Sequence, residues 1–205
     1  MTTLNDTYKT IKARAQGIYR DKGSKFLAFA EPVSSEDQAK AILESYRKQF
    51  HDAHHHCFAW AIGPARELQR MNDNGEPSGT AGKPIFGQIL SFGLTNLMVV
   101  VVRYFGGTKL GVGGLVSAYK AAAREALGSA VIITKTINEV FEVVFGYPET
   151  NEVMRVINEK DMKVLESHYT DVCRLVLSVR KNNASLVGQS FLVLNNVNIK
   201  HLRTG

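Results

Sequence analysis

The segment covering residues 97–127 constrains the fold more than any other part of the sequence. Residues 97–104 contain four consecutive β-branched valines after Leu97 and Met98, which is typical of a buried central strand. Residues 106–114 form a glycine loop, and the alanine-rich residues 115–127 predict a helix. A strand, a glycine loop and a helix in this order place the loop at the sheet edge where α/β proteins commonly bind ligands.

The pattern of strands and helices predicts an α+β protein with two domains, at residues 1–135 and 136–205. The first domain combines strands at residues 7–20, 25–33, 54–63, 66–71 and 97–104 with helices near residues 35–50, from Pro84 and at residues 115–127. The second reads as strand 137–147, helix 148–160, strands 162–169 and 172–181, helix 186–194 and strand 197–203. That order is the β-α-β-β-α-β order of a ferredoxin-like domain.

The excess positive charge of the chain lies entirely in its first two-thirds. Residues 1–135 hold 17 Lys and Arg against 11 Asp and Glu, whereas residues 136–205 hold eight of each. Such an asymmetry favours an anionic partner for the N-terminal domain. The alternative is a solvated basic edge strand that guards against aggregation.

Two glycine clusters are candidate anion sites. The first spans residues 73–83 and ends in Lys83 just before a predicted helix, so backbone amides and the helix dipole favour an anion there, although the spacing is not that of a P-loop. The second, residues 103–114, contains a loose GxGxxG without the acidic residue that a dinucleotide site requires. A plain connecting loop is the alternative for each. The residues expected to contact phosphate are Gly79, Thr80, Gly82, Lys83, Arg103, Gly106, Gly107, Thr108, Lys109, Gly111 and Gly113.

The histidine cluster of residues 51–56 raises the question of zinc. Along a strand, His54 and His56 point to one face, whereas His55 and Cys57 point to the other. This alternation scatters the ligands, so we expect packed or hydrogen-bonded histidines and no bound metal. We also expect Cys57 to be a buried small hydrophobe.

Several classes of protein are disfavoured by the sequence. The longest apolar run, residues 97–102, is far shorter than a membrane span, and no secretory signal is visible. The two cysteines form no CxxC motif and are expected to be reduced, which predicts a cytoplasmic protein. We expect no cofactor. The best enzyme hypothesis is phosphoryl chemistry or hydrolysis that uses His55, Asp73 and Glu76 with Lys83 on the phosphate. No second acidic motif supports it, so an enzyme is the less favoured class.

Three sequence blocks resemble the IMPACT/YigZ family: HHCFAW (residues 55–60), DNGEPSGTAGKP (residues 73–84) and VVVVRYFGGTKLGVGGLVSAY (residues 99–119). The resemblance implies an N-terminal domain with the βαβ-type fold of ribosomal small-subunit proteins and of elongation factor G domain IV. It implies a C-terminal ferredoxin-like domain similar to elongation factor G domain V. It also implies a link to translation and to stress responses, because eukaryotic relatives regulate translation on ribosomes through a stress-kinase activator.

Carried over residue by residue, the family histidine matches His55 and the family's Asp-Asp-Gly-Glu motif is Asp73-Asn74-Gly75-Glu76 here. The second carboxylate of that motif is absent, which weakens any scheme with two acids or magnesium. The first functional hypothesis is therefore a translation-related regulator that binds RNA or ribosome phosphates. The phosphate-binding enzyme is second, and a module that binds a protein partner through the neutral C-terminal sheet is third.

Overall fold

The computed structural model describes residues 6–204, which form two compact units. The first unit comprises residues 8–135, and the second comprises residues 136–204 together with Asp6 and Thr7. The strands that lie wholly or mostly in the first unit are β1 (Thr7–Ile11), β2 (Ala15–Asp21), β3 (Ser24–Pro32), β4 (His55–Ile62), β5 (Leu68–Asn72), β6 (Leu97–Tyr104) and β7 (Ile132–Thr136). Its helices are α1 (Glu36–Gln49), α2 (Gly82–Ser91) and α3 (Gly111–Gly128).

The first unit is built on a five-stranded antiparallel sheet with the order β2-β3-β6-β4-β5. The strand β6 occupies the centre, and all its residues except Tyr104 are buried. The prediction of a buried central strand at residues 97–104 is therefore confirmed. A β-branched run suits this position because both faces of β6 are covered by other elements.

The two faces of the sheet carry side chains of different size. In β4, Cys57, Ala59 and Ala61 belong to the core beneath α2 and α3, whereas Phe58 and Trp60 belong to the core beneath α1. The small side chains of β4 let α2 and α3 pack closely on one face, and its aromatic side chains pack against α1 on the other face. The alternation predicted from the sequence of this strand is the one observed.

The first unit also departs from the sequence prediction. Residues 7–20 form two strands, β1 and β2, because residues 12–14 leave the extended ladder and β1 pairs with β7. The strand β7 was not predicted. The helices α2 and α3 both begin earlier than expected, at Gly82 and Gly111, so parts of both glycine clusters are helical.

The second unit follows the predicted order of elements. It consists of β8 (Asn138–Phe145), α4 (Thr150–Glu159), β9 (Lys163–Tyr169), β10 (Cys173–Arg180), α5 (Ala184–Leu192) and β11 (Asn198–Thr204). Its sheet has the order β11-β8-β10-β9, and every pairing is antiparallel. The core packs Val143 and Leu175 of the sheet with Val153 of α4 and Phe191 of α5. The prediction of an α+β protein is confirmed.

The N-terminal residue Asp6 groups with the second unit, whereas the sequence analysis placed it in the first domain. Ile137 donates its backbone N–H to the Asp6 carbonyl oxygen at 2.6 Å. The Arg180 guanidinium pairs with the Asp6 carboxylate at 3.0 Å. Contacts between positions so distant in sequence have no local signal, which is why the chain pattern missed them. Among residues 6–204, no helix is long and apolar enough to span a membrane.

Candidate nucleic-acid interface

One end of the five-stranded sheet gathers nearly all the residues that the sequence singled out. The strand β4 begins there with His55, which pairs with Arg103 near the end of β6. The strand β5 ends there, at Asn72, which leads into the first glycine cluster. Because α2 and α3 follow the two clusters, both helices begin at this end. We call this end, with the turn at Lys22, the glycine edge.

The carboxylate of Asp73 caps the helix α2. Its oxygens accept hydrogen bonds from the backbone N–H groups of Gly79 at 2.8 Å, Ala81 at 2.9 Å and Gly82 at 2.8 Å. Burial alone raises the pKa of Asp73, but these three hydrogen bonds outweigh it and hold the pKa below its ordinary value. The residue at the N-cap position, Ala81, has no side chain that can accept a hydrogen bond. Asp73, eight residues earlier, therefore accepts from the free N–H groups at the start of the helix.

This internal cap uses amides that the sequence analysis assigned to a phosphate site, and that site stays a prediction. The amides of Gly79 and Gly82 already donate to an anion that belongs to the chain. Thr80 is buried, and its hydroxyl donates to the carbonyl oxygen of Pro77 at 2.7 Å. The sequence showed that an anion suits this helix start. It did not show that Asp73 supplies it, because the loop conformation determines that contact.

A buried polar network lies beneath the glycine edge and centres on Glu76. The Glu76 carboxylate accepts hydrogen bonds from Arg103 and from the Tyr119 hydroxyl, each at 2.7 Å. The Cys57 thiol lies 3.2 Å from the same hydroxyl. Burial raises the pKa of Cys57 to about 12, and burial followed by contact with Cys57 and Glu76 raises the pKa of Tyr119. Both groups therefore stay protonated at neutral pH.

The network also corrects the role expected of Arg103. Its side chain is only 6% exposed, and that of Glu76 is 3% exposed. A guanidinium that is buried and paired with a carboxylate is not presented to solvent, so Arg103 is not one of the exposed cations of this edge. The sequence missed Tyr119, which stands on an alanine-rich helix with no motif to mark it as a partner of Glu76.

His55 joins the turn between β5 and α2 to the strand β4. Its Nδ1 lies 2.8 Å from the carbonyl oxygen of Asn74, so Nδ1 carries a proton and donates it. Its Nε2 lies 3.8 Å from the Glu76 carboxylate, beyond hydrogen-bonding distance. The backbone N–H of His56 donates to the Asn74 side chain at 2.7 Å. These contacts fix the turn at Asn74 and Gly75, both of which have a positive φ.

The three proposed catalytic side chains, His55, Asp73 and Glu76, therefore lie near one another, but both carboxylates are engaged internally. Asp73 holds the start of α2, and Glu76 holds Arg103 and Tyr119. Neither is presented as a general base or as a metal ligand. Across residues 6–204, no three His, Cys, Asp or Glu side chains converge as metal ligands do. The expectation of a protein without bound zinc stays a prediction.

The second glycine cluster is the exposed part of the edge. Its exposed members include Phe105, Thr108 and Lys109, together with Gly106, Gly107, Gly111 and Gly113. Gly106 packs directly on Gly23, because a Cβ at Gly106 would lie 1.9 Å from the Gly23 carbonyl carbon. Lys22 precedes Gly23, so this contact places Lys22 beside the cluster. Lys22 was not among the site residues expected from the sequence. The helix α3 begins here with no side-chain cap on its first amides.

Cations border this exposed surface without internal partners. Within the described chain, Lys22, Lys25, Lys83 and Lys109 form no ion pair with a carboxylate. Among the other cations before residue 26, Arg20 of β2 lies opposite Lys25 of β3 at this same end of the sheet. Lys12 stands at the opposite end of the sheet, where its backbone N–H donates to Val131. The charge count along the sequence grouped these cations. In the structure, β2 runs from the end near Lys12 to the end near Lys25, so the two lysines lie at different ends of the sheet.

The fold and this edge define an α+β protein of two units, the first of which presents a basic glycine edge over a buried Glu–Arg–Tyr network. The family model of the Impact N-terminal domain matches residues 22–127, which are just over half of the chain and contain the whole edge. The chain belongs to the IMPACT family.

Individual relatives extend the similarity beyond that domain. The IMPACT family member YigZ of Escherichia coli is 36% identical over 150 residues, covering 72% of this chain and 74% of that protein. An IMPACT family member of Thermus thermophilus is 39% identical over 156 residues, covering 75% of this chain and 83% of that protein. A crystal structure of a hypothetical protein matches with a TM-score of 0.75 and 28% identity, over 98% of this chain and 99% of that chain.

Proposed function

We propose that this protein is a translation-related regulator whose glycine edge binds phosphates of RNA on or near the ribosome. One observation carries the proposal: unpaired lysines border an exposed glycine loop that opens α3 without a side-chain cap. Cationic side chains and free backbone amides are the groups that bind nucleic-acid phosphates. Membership of the IMPACT family supports the link to translation, which in turn implies a cytoplasmic protein.

The contact residues of this proposal differ from those expected from the sequence alone. Lys22 and Lys25 join Lys83 and Lys109 as the cations. Arg103 and the amides that donate to the Asp73 carboxylate are engaged within the protein. The exposed contacts on the second cluster are Gly107, Thr108, Gly111 and Gly113, whereas the Gly106 N–H donates to the Ser24 hydroxyl at 3.2 Å. The glycines allow the backbone to approach a phosphate closely, since no Cβ stands in the way.

The enzyme alternative gains no support from the same edge. Asp73 and Glu76 are the carboxylates that a hydrolase or kinase-like site needs, and each already accepts hydrogen bonds from the chain. Freeing either one leaves buried or helix-terminal donors without partners, which is costly. The phosphate-binding interpretation needs no such rearrangement.

Finer fold assignments form part of the same proposal. We place the first unit with the βαβ-type fold of ribosomal small-subunit proteins and of elongation factor G domain IV, and the second with ferredoxin-like domains. The second unit's β-α-β-β-α-β order supports this assignment. The two units have separate cores, so we expect them to fold as two domains. Amide NMR spectra of the two pieces expressed alone test this, and collapsed spectra from both contradict it.

The binding proposal is tested with the full chain and purified small ribosomal subunits. Sedimentation at low salt should recover the protein with the subunits, and Lys109→Glu should release it. The control is Lys12→Glu, which makes the same charge change on an exposed lysine at the opposite end of the sheet. Failure of the unaltered protein to bind either subunits or free RNA at low salt contradicts the proposal.

A further inference from the structure

An aromatic ring stands exposed in the middle of the glycine edge. Phe105 is 43% exposed and directly follows the end of β6. Its C-terminal neighbours are Gly106 and Gly107, and Gly107 has no atom within 4 Å of the position that a Cβ would take. Nearly half of the Phe105 side chain is therefore open to solvent, beside a glycine loop.

The ring is held from the protein side by the buried network. The Arg103 guanidinium lies 5.7 Å from the centroid of the Phe105 ring and 5.4 Å from that of the buried Phe26 ring. Cations and aromatic rings attract at such distances. Because Glu76 fixes the guanidinium at 2.7 Å, the network that lies beneath the edge also orients Phe105 above it. Arg103 is thus a positioning residue for this ring.

The surroundings of the ring are cationic. Lys109 follows it in the same loop, and the turn that carries Lys22 packs against Gly106. Neither lysine forms an ion pair with a described carboxylate. An exposed aromatic platform beside cations is the arrangement with which proteins hold single-stranded nucleic acids, since bases stack on the ring while phosphates meet the charges.

Resting on the proposed function, we infer that the glycine edge selects single-stranded RNA and that one unpaired base stacks on Phe105. In a duplex every base is already stacked between its neighbours, and only backbone and groove atoms reach a protein surface. A single strand supplies a free base to the ring as well as phosphates to Lys22 and Lys109. The ring thus adds discrimination between strand types to a site that otherwise senses only charge.

Three probes separate the ring from the charges: an oligouridylate, an RNA duplex of equal length, and inorganic polyphosphate, which is a polyanion without bases. The full chain should bind the oligouridylate more tightly than the duplex. Phe105→Leu should weaken oligouridylate binding by about fivefold to a hundredfold. The same variant should bind polyphosphate as the unaltered protein does. Because Phe105 is exposed, the leucine variant is expected to fold, which circular dichroism checks.

A second measurement reports stacking directly. Phe105→Trp places a tryptophan at the edge, whereas the chain's own Trp60 is buried in the α1 core and serves as a constant background. Oligouridylate should quench the added fluorescence, and polyphosphate should not. Equal binding of single strand and duplex, with Phe105→Leu unchanged, overturns this inference and leaves the proposed function standing. Absence of binding to all three probes at low salt overturns both.

Discussion

The Glu76 carboxylate accepts a hydrogen bond from the Arg103 guanidinium at 2.7 Å, and less than a tenth of either side chain is exposed. The two residues are 27 positions apart in the sequence. It holds the turn after β5 against the end of β6, and Tyr119 of α3 shares the same carboxylate. The pair therefore connects three elements of the first unit at the end where both glycine clusters meet.

Breaking this buried pair should cost far more than breaking an exposed one. Glu76→Gln leaves a buried guanidinium without its counter-charge, so we expect a loss of about 3–5 kcal/mol in the free energy of unfolding. A double variant, Glu76→Gln with Arg103→Met, should recover part of that loss. Urea unfolding measures both. The matched control is Glu44→Gln, which breaks an exposed pair with Arg47 and should cost at most about 1 kcal/mol. Equal effects from the two glutamine substitutions contradict the assigned role.

The Asp73 cap predicts a specific dependence of stability on pH. Asp73→Ala should destabilise the protein by about 1–2 kcal/mol at neutral pH, because three amides at the start of α2 lose their acceptor. The folded pKa of Asp73 lies below its unfolded value. The stabilisation is therefore complete above the unfolded pKa, which is about 3.9, and is lost as pH falls through the folded pKa.

Urea unfolding of Asp73→Ala and the unaltered protein over a pH series measures this difference. The gap between the two stabilities should be constant at neutral pH and should close below about pH 4. The control is Asp37→Ala on α1, whose carboxylate is almost fully exposed and which should leave the shape of the acid limb unchanged. A gap that widens as the pH falls is inconsistent with a cap by ionised Asp73.

The lysines of the glycine edge should determine how salt affects RNA binding. If about five phosphates are neutralised, the logarithm of the affinity should fall with the logarithm of the salt concentration at a slope of about −3.5 for a single strand. Lys22→Ala and Lys109→Ala should each weaken binding for all sequences alike and make the slope shallower by about 0.7. Fluorescence anisotropy over a salt series measures this slope. Lys12→Ala, at the opposite end of the sheet, should change neither affinity nor slope, and an equal effect from all three variants argues against a localised site.

Two glycines of the first unit should respond to alanine in opposite directions. A Cβ on Gly17 of β2 would lie 2.4 Å from the backbone nitrogen of Ala126 in α3. Gly17→Ala must therefore push α3 away from the sheet, and it should lower the free energy of unfolding by at least about 1 kcal/mol. Gly113 lies in the first turn of α3 with nothing near its Cβ position and no positive φ. Gly113→Ala should therefore stabilise by about 0.4–1 kcal/mol. Thermal unfolding distinguishes these signs, and a stabilising Gly17→Ala contradicts the close packing of α3 on β2.

The Cys57 thiol should be inert in the folded protein. Burial raises its pKa to about 12, so almost none of it is thiolate at neutral pH, and Cys173 is buried as well. A disulfide reagent added to native protein should release no chromophore, whereas two thiols should react after unfolding in urea. Rapid reaction of one thiol in the native state, traced to Cys57 by its loss in Cys57→Ala, contradicts the burial of the network.

The sequence was informative wherever a local pattern fixed the environment of a residue. The β-branched run at residues 97–104 required cover on both faces, which placed β6 at the centre of the sheet. Alternation along β4 separated Cys57 and Ala59 from Phe58 and Trp60, and the two cores follow that division. The order of elements in the second unit was also readable, because each has its own hydrophobic period.

The interior contacts of the candidate site were not readable in this way. Nothing local marks Asp73 as the cap of α2, Tyr119 as a partner of Glu76, or Asp6 as part of the second unit. Each contact joins positions that only a turn or a sheet crossing brings together. The sequence analysis therefore assigned Arg103 and the glycines Gly79 and Gly82 to a phosphate site, because their partners inside the protein could not be recognised from chain order.

What the sequence determined by itself is the class of fold, the strands and helices with strong periodicity, and the segment on which positive charge and glycine concentrate. What the tertiary structure decided is which of those polar groups remain free. Asp73 caps the start of α2, and Glu76 and Arg103 pair with each other, whereas Lys22 and Lys109 are left exposed on the same edge as Phe105. The physical reason is that most buried polar groups form hydrogen bonds with whichever partner the fold places beside them. Which partner that is depends on distances in space, which the order of residues along the chain does not give.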